Sequence, residues 1–201
     1  MGFSFFFRDV DAMDMIIEHA LPEIKNNRYI SIWSAGCSEG QEPYTLAIKL
    51  RENVGPFTFR KIKIFATDVD NTTGEFGNTI HNAVYPKEMV KRVDSEILSK
   101  YFRPVGIGAE YKLVDEIKRA VEFQQHDLLS YREIRSSINV ILCKNVLMHF
   151  NSNQRVGVIR MFHQVLAPGG FLVLERTQEM PREVSYLFTR VTDRGQVFRK
   201  K

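Results

Sequence analysis

The chain has 201 residues, 44% hydrophobic and 26% charged, a balance typical of a soluble globular domain with a sizeable core. Its net charge of +4 is too small to predict a nucleic-acid-binding protein, and it has no apolar run of the roughly 18 residues that a membrane-spanning helix requires. Two cysteines exclude a disulfide scaffold and predict buried thiols in a reducing cytoplasm.

The amino terminus is predicted to be a phenylalanine-rich segment, residues 3–7, followed by a helix over about 10–25. Phenylalanines next to Arg8 and Asp9 are not typical of a signal peptide. They are most simply interpreted as a plug for the core. Because they would hold the base of Arg8 in place, Arg8 is a candidate functional residue, although an ordinary surface role stays open.

A predicted strand over residues 30–35, a glycine-containing turn over 36–40 and a helix over about 41–53 follow. This order forms the ligand-binding corner of a doubly wound α/β domain. Carboxylates at such a turn repel the pyrophosphate of a dinucleotide, and this turn region carries Glu39 and Glu42. Acid at this place favours a ligand with cationic groups, such as the sulfonium and ammonium of S-adenosylmethionine.

The second predicted strand covers residues 61–67 and ends in two acids, Asp68 and Asp70. An acid at the tip of this strand is placed to accept hydrogen bonds from ribose hydroxyls. The alternative interpretation is a helix N-cap, a position that aspartate favours. With two acids present, one can cap and the other can bind, and Asp68 is the ribose candidate because it is nearer the strand.

The regular alternation breaks between about residues 86 and 122, where short helices are predicted near 86–90 and 95–98 and a strand over 109–114. Basic and acidic residues are nearly equal in number there, which argues against a polyanion-binding patch. We therefore predict one domain over residues 1–201 with an inserted subdomain at about 86–122, and such additions usually serve a partner.

The parallel pattern resumes with predicted strands over 121–129 and 138–143, the second being apolar enough for a strand buried on both faces. Polar side chains that follow such a strand lie over the ligand crevice, so Asn145 and His149 are candidates by position. A lone histidine is as often a structural hydrogen-bonding residue. Asp127 ends the earlier strand and either faces an adenine edge or caps.

A helix over about 152–166 and a strand over 171–175 come next, and residues 186–189 and 197–199 predict an antiparallel hairpin. Parallel strands that finish in such a hairpin favour a methyltransferase over a dehydrogenase. The predicted fold is α/β, a doubly wound, mostly parallel, Rossmann-like sheet of the methyltransferase kind, with a carboxyl-terminal antiparallel hairpin and a small inserted β-subdomain.

Several motifs, in chain order, match one known family. They are Phe6-Phe7-Arg8, Trp33-Ser34-Ala35-Gly36-Cys37-Ser38 with Gly40 and Glu42-Pro43-Tyr44, Ala66-Thr67-Asp68-Val69-Asp70, and Cys143-Lys144-Asn145-Val146 with Phe150. The corresponding family motifs are Phe-Phe-Arg, Gly-Glu-Glu-Pro-Tyr, Ala-Thr-Asp-Ile-Asp and Cys-Arg-Asn-Val. The chain thus resembles, over nearly its whole length, the S-adenosylmethionine-dependent methyltransferases of bacterial chemotaxis (the CheR type), which esterify receptor glutamates.

The resemblance implies S-adenosylmethionine as the cofactor, S-adenosylhomocysteine as its product, and no metal ion. Arg8 stands for the arginine near the methyl-transfer centre, and His149 is the second residue implied in catalysis. Ser4 stands where the family has a threonine beside the cofactor. The full set of residues implied in cofactor binding is Ser4, Arg8, Ala35, Gly36, Glu42, Asp68, Asp127, Leu128, Asn145 and Val146.

Within this implied site, Glu42 would meet the methionine portion of the cofactor and Asp68 its ribose. Asp127 and Leu128 would lie at the adenine region, and Asn145 at the middle of the cofactor. The insertion at about 86–122 resembles the family's small β-subdomain, which serves receptor docking. The implied partner is therefore the cytoplasmic helical region of membrane chemoreceptors, with no nucleic acid and no insertion into the membrane, and we expect a cytoplasmic protein.

The chain also departs from the family pattern. Glu39 and Gln41 replace a threonine and a glutamate, and His149 replaces a tyrosine near the reacting centre. A substrate carboxylate is already ionised at neutral pH and needs no base, whereas a histidine would suit an acceptor that must lose a proton. Two alternatives therefore stay open: a methyltransferase of another substrate, and a regulatory module that binds the cofactor or its product with weakened catalysis. The family's N-terminal helical domain has no counterpart here, so we expect a fragment or a short variant.

Overall fold

The computed structural model describes residues 4–70 and 74–201. Within these residues the strands, in chain order, are β1 (Ile30–Ala35), β2 (Ile62–Asp68), β3 (Val84–Pro86), β4 (Phe102–Val105), β5 (Glu110–Leu113), β6 (Val121–Gln125), β7 (Ile138–Cys143), β8 (Leu166–Leu174), β9 (Phe188–Arg190) and β10 (Gln196–Lys200). A seven-stranded sheet has the order β6-β2-β1-β7-β8-β10-β9, and a three-stranded sheet has the order β3-β5-β4.

The α-helices of the described residues are α1 (Asp11–Met15), α2 (Leu21–Ile24), α3 (Gln41–Asn53), α4 (Pro56–Phe59), α5 (Glu75–Asn82), α6 (Lys87–Val90), α7 (Ser95–Tyr101), α8 (Asp115–Lys118), α9 (Ser152–Val165) and α10 (Arg182–Ser185). A π-helical turn, Ile16–Ala20, joins α1 to α2, and 3₁₀ turns cover Leu128–Ser130 and Leu147–His149. None of these described helices combines the length and the apolar character needed to cross a membrane.

The large sheet is doubly wound and mostly parallel, which confirms the predicted fold class. Strands β6, β2, β1, β7 and β8 are parallel neighbours, and β10 runs antiparallel to both β8 and β9. On β1, Trp33 pairs with Phe65 on one side and with Ile141 on the other. The direction of winding reverses between β1 and β7. In open α/β sheets the ligand crevice lies at such a switch point, beyond the carboxyl ends of the strands.

Two predicted elements in the second half of the large sheet need correction. The strand expected over 121–129 ends at Gln125, because the chain turns at Asp127, whose carboxylate accepts the Leu129 N–H at 2.8 Å. Residues 168–170, which precede the strand predicted over 171–175, belong to β8, and the β7–β8 register shifts there between the Ile138–Leu166 and Val140–Phe171 pairs. A bulge therefore absorbs the Pro-Gly-Gly sequence within the strand.

The small sheet contains the predicted strand of the insertion as β5 and two strands that were not predicted. β3 and β4 span three and four residues, and each contains a proline, so neither carries a clear strand pattern. β3 begins at Val84, two residues before the predicted insertion at about 86–122, and residues 71–73 lie outside the described residues. The inserted subdomain at 86–122 stays a prediction.

The amino-terminal segment that carries Arg8 is anchored in the core by its aromatic residue Phe6. The Phe6 side chain is fully buried and meets Tyr85 and Phe102 of the small sheet edge to face, at centroid distances of 4.9 and 5.1 Å. Its N–H donates to the Met89 carbonyl at 3.1 Å. The expected plug thus places Arg8 between the two sheets.

Candidate functional site

A cavity of about 580 Å³ lies at the carboxyl ends of β1, β2, β6 and β7. It is large enough for a small-molecule ligand. The candidate residues that line it are Ser4, Arg8, Gly36, Glu42, Asp68, Asp127, Leu128, Asn145, Val146 and His149. Ala35 is the exception: it ends β1 fully buried and does not line the cavity.

Glu42 places a carboxylate in the wall of the cavity from the first turn of α3. Its Oε1 accepts a hydrogen bond from Ser34 Oγ at 2.9 Å, and its Oε2 lies 3.8 Å from Lys144 Nζ. Burial raises the pKa of Glu42 to about 7, because desolvation outweighs the opposing effects of Lys144 and of the Ser34 hydrogen bond. A cationic ligand group beside this carboxylate favours its ionised form.

Glu39, the other acid of the turn, does not line the cavity. Its Oε2 accepts a hydrogen bond from Gln41 Nε2 at 3.0 Å, and its carbonyl accepts one from the Tyr85 hydroxyl at 2.7 Å. Of the two acids in this region, only Glu42 was a candidate for cofactor binding, and Glu39 had no predicted role. This residue fixes the turn instead, and Glu42 carries the charge at the cavity.

The turn after β1 requires glycine at position 36 for two reasons. Its backbone conformation is one that residues with a side chain disfavour, and the backbone lies close to Val146. Gly36 has φ +87°, and its N–H donates to the Thr67 carbonyl at 2.8 Å. A Cβ atom added to Gly36 would lie 2.1 Å from Val146 Cγ2. The turn after β1 therefore packs directly on the turn after β7, which leaves backbone exposed to the cavity between them.

Asp68 connects the tip of β2 to the glycine turn. Its Oδ2 accepts the Ser38 N–H at 2.8 Å, and its Oδ1 accepts the Val69 N–H at 2.8 Å. The second acid, Asp70, is the one that contacts the helix: its carboxylate accepts a hydrogen bond from the Gly77 N–H of α5 at 3.4 Å. Asp68 lines the cavity and has no part in capping α5, so it keeps its place as the ribose candidate.

Replacing Asp68 by asparagine is expected to weaken S-adenosylhomocysteine binding by about 1–3 kcal/mol, or roughly tenfold to a hundredfold. The amide removes a charged acceptor, and its NH₂ group clashes electrostatically with one of the N–H donors. Titration calorimetry measures the affinity. Asp94→Asn is the matched control, because that exposed acid caps α7 outside the cavity, and the variant should keep its affinity. Equal losses contradict a special role for Asp68.

The wall near β6 is mainly apolar and includes a histidine that sequence reasoning missed. Leu128, Val69 and Phe76 line the cavity there together with His126. The His126 ring meets Trp33 edge to face at 5.7 Å, and burial lowers its pKa, so the imidazole is neutral near neutral pH. An apolar wall with polar edges suits a purine ring.

The opposite part of the cavity carries the two residues implied in catalysis. Arg8 is half-buried, and its Nε lies 3.2 Å from Asp9 Oδ2. His149 is exposed at the end of its 3₁₀ turn. Asn145 has φ +58°, and its N–H donates to Glu175 Oε2 at 2.7 Å. The structure thus brings residues from the amino terminus and from the region after β7 to one cavity.

Cys37 and Lys144 also line the cavity, although neither was a candidate. Both cysteines of the chain are free and buried, as predicted, and burial raises the pKa of Cys37 well above its ordinary value, with Asp68 adding to the effect. Lys144 is 7% exposed. The sequence signal for Lys144 was its position directly after an apolar strand, because a residue at the carboxyl end of a central strand is often buried beside the ligand crevice.

The donor set fits S-adenosylmethionine. Glu42 suits an ammonium group, Asp68 suits ribose hydroxyls, and the apolar wall with Leu128 suits adenine. Gly36 lines the cavity beside Val146, against which its turn packs.

Comparisons with known proteins agree with this assignment. A sequence model described as "CheR methyltransferase, SAM binding domain" matches residues 3–195. Chemotaxis protein methyltransferase 2 of Vibrio cholerae is 32% identical over 190 residues, covering 92% of this chain and 64% of the relative. Chemotaxis protein methyltransferase Cher2 of Pseudomonas putida is 28% identical, covering 88% and 66%. The chain therefore spans just under two thirds of the length of these relatives.

Among solved structures, the rRNA methyltransferase aviRa from Streptomyces viridochromogenes has a similar fold. It superposes with a TM-score of 0.57 at 13% identity, covering 99% of this chain and 85% of that one. At this identity the likeness concerns the fold alone, and it agrees with the doubly wound sheet described above.

Proposed function

From the premise that the chain belongs to the family of CheR methyltransferase SAM-binding domains, we propose that it transfers a methyl group from S-adenosylmethionine to glutamate side chains of chemoreceptors. One observation carries the proposal: a largely buried carboxylate, Glu42, and a half-buried cation, Arg8, line the same cavity at the switch point of the sheet. The carboxylate suits the ammonium of the donor, and the cation suits the carboxylate of the acceptor.

In this proposal the donor is held by side chains from separate elements. Glu42 takes the methionine end, Asp68 the ribose, and Asp127 with Leu128 the adenine region. Gly36 and Val146 shape the middle of the cavity, where Asn145 also lies. Their convergence on one cavity supports this assignment.

The proposed reaction requires little proton transfer by the protein. S-adenosylmethionine supplies a methyl group on a sulfonium and leaves as the neutral thioether S-adenosylhomocysteine. One acceptor carboxylate oxygen forms the new C–O bond as the C–S bond breaks, and the electron pair of that bond stays on sulfur. A glutamate carboxyl with a pKa near about 4.3 is already ionised at neutral pH. Alignment and exclusion of water must therefore provide most of the rate.

Arg8 holds the acceptor carboxylate by charge-assisted hydrogen bonds in this mechanism, a geometry for which guanidinium is suited. In the described structure its Nε faces the carboxylate of Asp9 at 3.2 Å, so an acceptor carboxylate would take over a contact that Arg8 already makes within the chain. His149 assists by hydrogen bonding at the place where the family has a tyrosine.

The receptor partner belongs to the same proposal. The three-stranded sheet lies beside the Arg8 segment, since Phe6 packs on Tyr85 and Phe102. An acceptor helix docked on this sheet would thus lie near the catalytic end of the cavity. We propose the cytoplasmic helical region of chemoreceptors as this partner, and the cytoplasm as the location of the protein.

Arg8→Ala is expected to reduce turnover on receptor-containing membranes by at least about a hundredfold, because orientation of the acceptor is lost. Affinity for S-adenosylhomocysteine should change by less than about threefold. Radiolabelled methyl transfer measures the first and calorimetry the second. Arg28→Ala is the control, since Arg28 lies outside the cavity. Equal losses of turnover and affinity assign Arg8 to cofactor binding instead.

His149 favours one alternative, a methyl acceptor that must lose a proton. The stability of the product to base separates the two acceptors. Methyl esters of glutamate release methanol in base, whereas methyl amines and methyl ethers do not. A base-stable product formed on receptor-containing membranes would therefore exclude the glutamate assignment while leaving methyl transfer in place.

A further inference from the structure

Lys144 follows β7 directly and lies in the wall of the cavity, with only 7% of its surface exposed. Its ammonium contacts two other segments of the chain. Nζ donates to the Asp9 carbonyl at 2.8 Å and lies 3.5 Å from the Arg8 carbonyl. Its distance to Glu42 Oε2 is 3.8 Å. One buried cation thus joins the segment of Arg8 to the carboxylate of α3.

These contacts account for the burial of the charge. An ammonium group has three donors and is costly to bury unless it is hydrogen-bonded and paired. The backbone that Lys144 holds is itself unusual, because Phe7 and Asp9 have φ +59° and +45°. Side chains disfavour this region, so the conformation persists only where surrounding contacts impose it.

We propose that Lys144 is a positioning residue: it holds the Arg8 segment over the cavity and supplies the countercharge of Glu42, so that the acceptor site and the methionine site are set by one side chain. The inference rests on the proposed function in taking Arg8 and Glu42 as the acceptor and donor residues. Lys144 itself need not touch either substrate.

The groups that face Glu42 allow the proposal to be tested by pH. Lys144 and the Ser34 hydroxyl favour its ionised form, and the thiols of Cys37, in the turn after β1, and Cys143, at the end of β7, interact with its charge. Lys144 is the stronger of the two favourable influences. Glu175 lines a neighbouring cavity together with Lys144 and interacts with Cys143. Without Lys144, the pKa of Glu42 must rise further.

The first experiment follows S-adenosylhomocysteine affinity by calorimetry from about pH 6 to about pH 9 in the wild type, Lys144→Met and Lys144→Gln. The affinity of the wild type should fall as the pH drops through the pKa of Glu42, about 7. Both variants should move this midpoint upward. A rise of about one pH unit would reduce the affinity near neutral pH about tenfold. Lys49→Met is the matched control, since Lys49 forms an ion pair with Asp14 outside the cavity.

The second experiment measures hydrogen exchange of the backbone amides of residues 5–10. Lys144→Met should raise exchange there, and Lys144→Gln should raise it less, because its amide still donates to the carbonyls. The glutamine variant also keeps the test open if the methionine variant does not fold. Lys49→Met should leave both readouts unchanged.

An unmoved pH midpoint in both Lys144 variants overturns the proposal even if exchange rises, because a purely structural contact explains faster exchange alone. A moved midpoint with unchanged exchange overturns the positioning of the Arg8 segment. Failure of the wild type to bind S-adenosylhomocysteine contradicts the proposed function itself, and is distinguishable from both results.

Discussion

Replacing Glu42 by glutamine is expected to stabilise the folded chain at alkaline pH while weakening its affinity for S-adenosylhomocysteine at least about tenfold. The two effects have one cause. The carboxylate is largely buried, its charge is favoured by Ser34 and Lys144 among the described residues, and burial nevertheless raises its pKa to about 7. Charge at this place suits a cationic ligand but costs stability when no ligand is bound.

The pH dependence of stability follows from the sign of this shift. A carboxyl group with a higher pKa in the folded chain binds its proton more tightly there than in the unfolded chain. Folding is therefore favoured at low pH, and the wild type should lose about 3 kcal/mol as the pH rises from the ordinary carboxyl range through about 7. Glu42→Gln cannot titrate at this position and should keep that stability.

Urea unfolding at several pH values measures the stability, and calorimetry near pH 8 measures the affinity. Near pH 5 the wild type and Glu42→Gln should have similar stabilities, because Glu42 is then already neutral beside Lys144. Glu39→Gln is the matched control: Glu39 belongs to the same turn but does not line the cavity, so affinity should stay close to that of the wild type. Unchanged affinity in Glu42→Gln excludes an ionic role for this residue.

Gly36→Ala should destabilise the chain by about 2–4 kcal/mol, the largest stability effect we expect from a single methyl group. Two causes add. A residue with a side chain is strained at φ +87°, and the new Cβ would lie 2.1 Å from Val146 Cγ2. The turn after β1 or the turn after β7 must then move, which also distorts the cavity between them.

Gly108→Ala separates these causes. Gly108 has φ +82° in the β4–β5 hairpin, and a Cβ there meets no atom of the described residues within 4 Å. Its replacement should cost only the strain, about 1 kcal/mol. Adding Val146→Ala to Gly36→Ala should recover part of the larger loss. Urea midpoints measure all of these variants, and equal losses for Gly36→Ala and Gly108→Ala would show that Val146 yields without cost.

The core of the fold is predictable because its strands carry unambiguous patterns. The apolar runs that predict β1 and β7 end at Ala35 and Cys143, the residues at which the structure ends these strands. β3 and β4 are short and contain Pro86 and Pro104, so their pairing with β5 depends on tertiary contacts rather than on local sequence.

The candidate site likewise has a part that the sequence predicts and a part that it does not. Strand ends identify Asp68 and Asn145 by position, whereas the environment of a charge depends on residues distant in sequence. Nothing in the local sequence shows that the Tyr85 hydroxyl donates to the Glu39 carbonyl, or that Lys144 lies near Glu42 and contacts Asp9. Burial and pairing arise only when separate segments meet, and their net effect is to raise the pKa of Glu42.

Trp33, the single tryptophan of the chain, gives the site its own optical probe. The indole is fully buried, its Nε1–H donates to Thr67 Oγ1 at 2.8 Å, and its ring contacts His126 in the cavity wall. Because this contact sets the surroundings of the indole, we expect a ligand that shifts or shields His126 to alter the fluorescence of Trp33. Occupancy of the cavity can thus be followed in dilute solution by intrinsic emission, without a label or an acceptor protein.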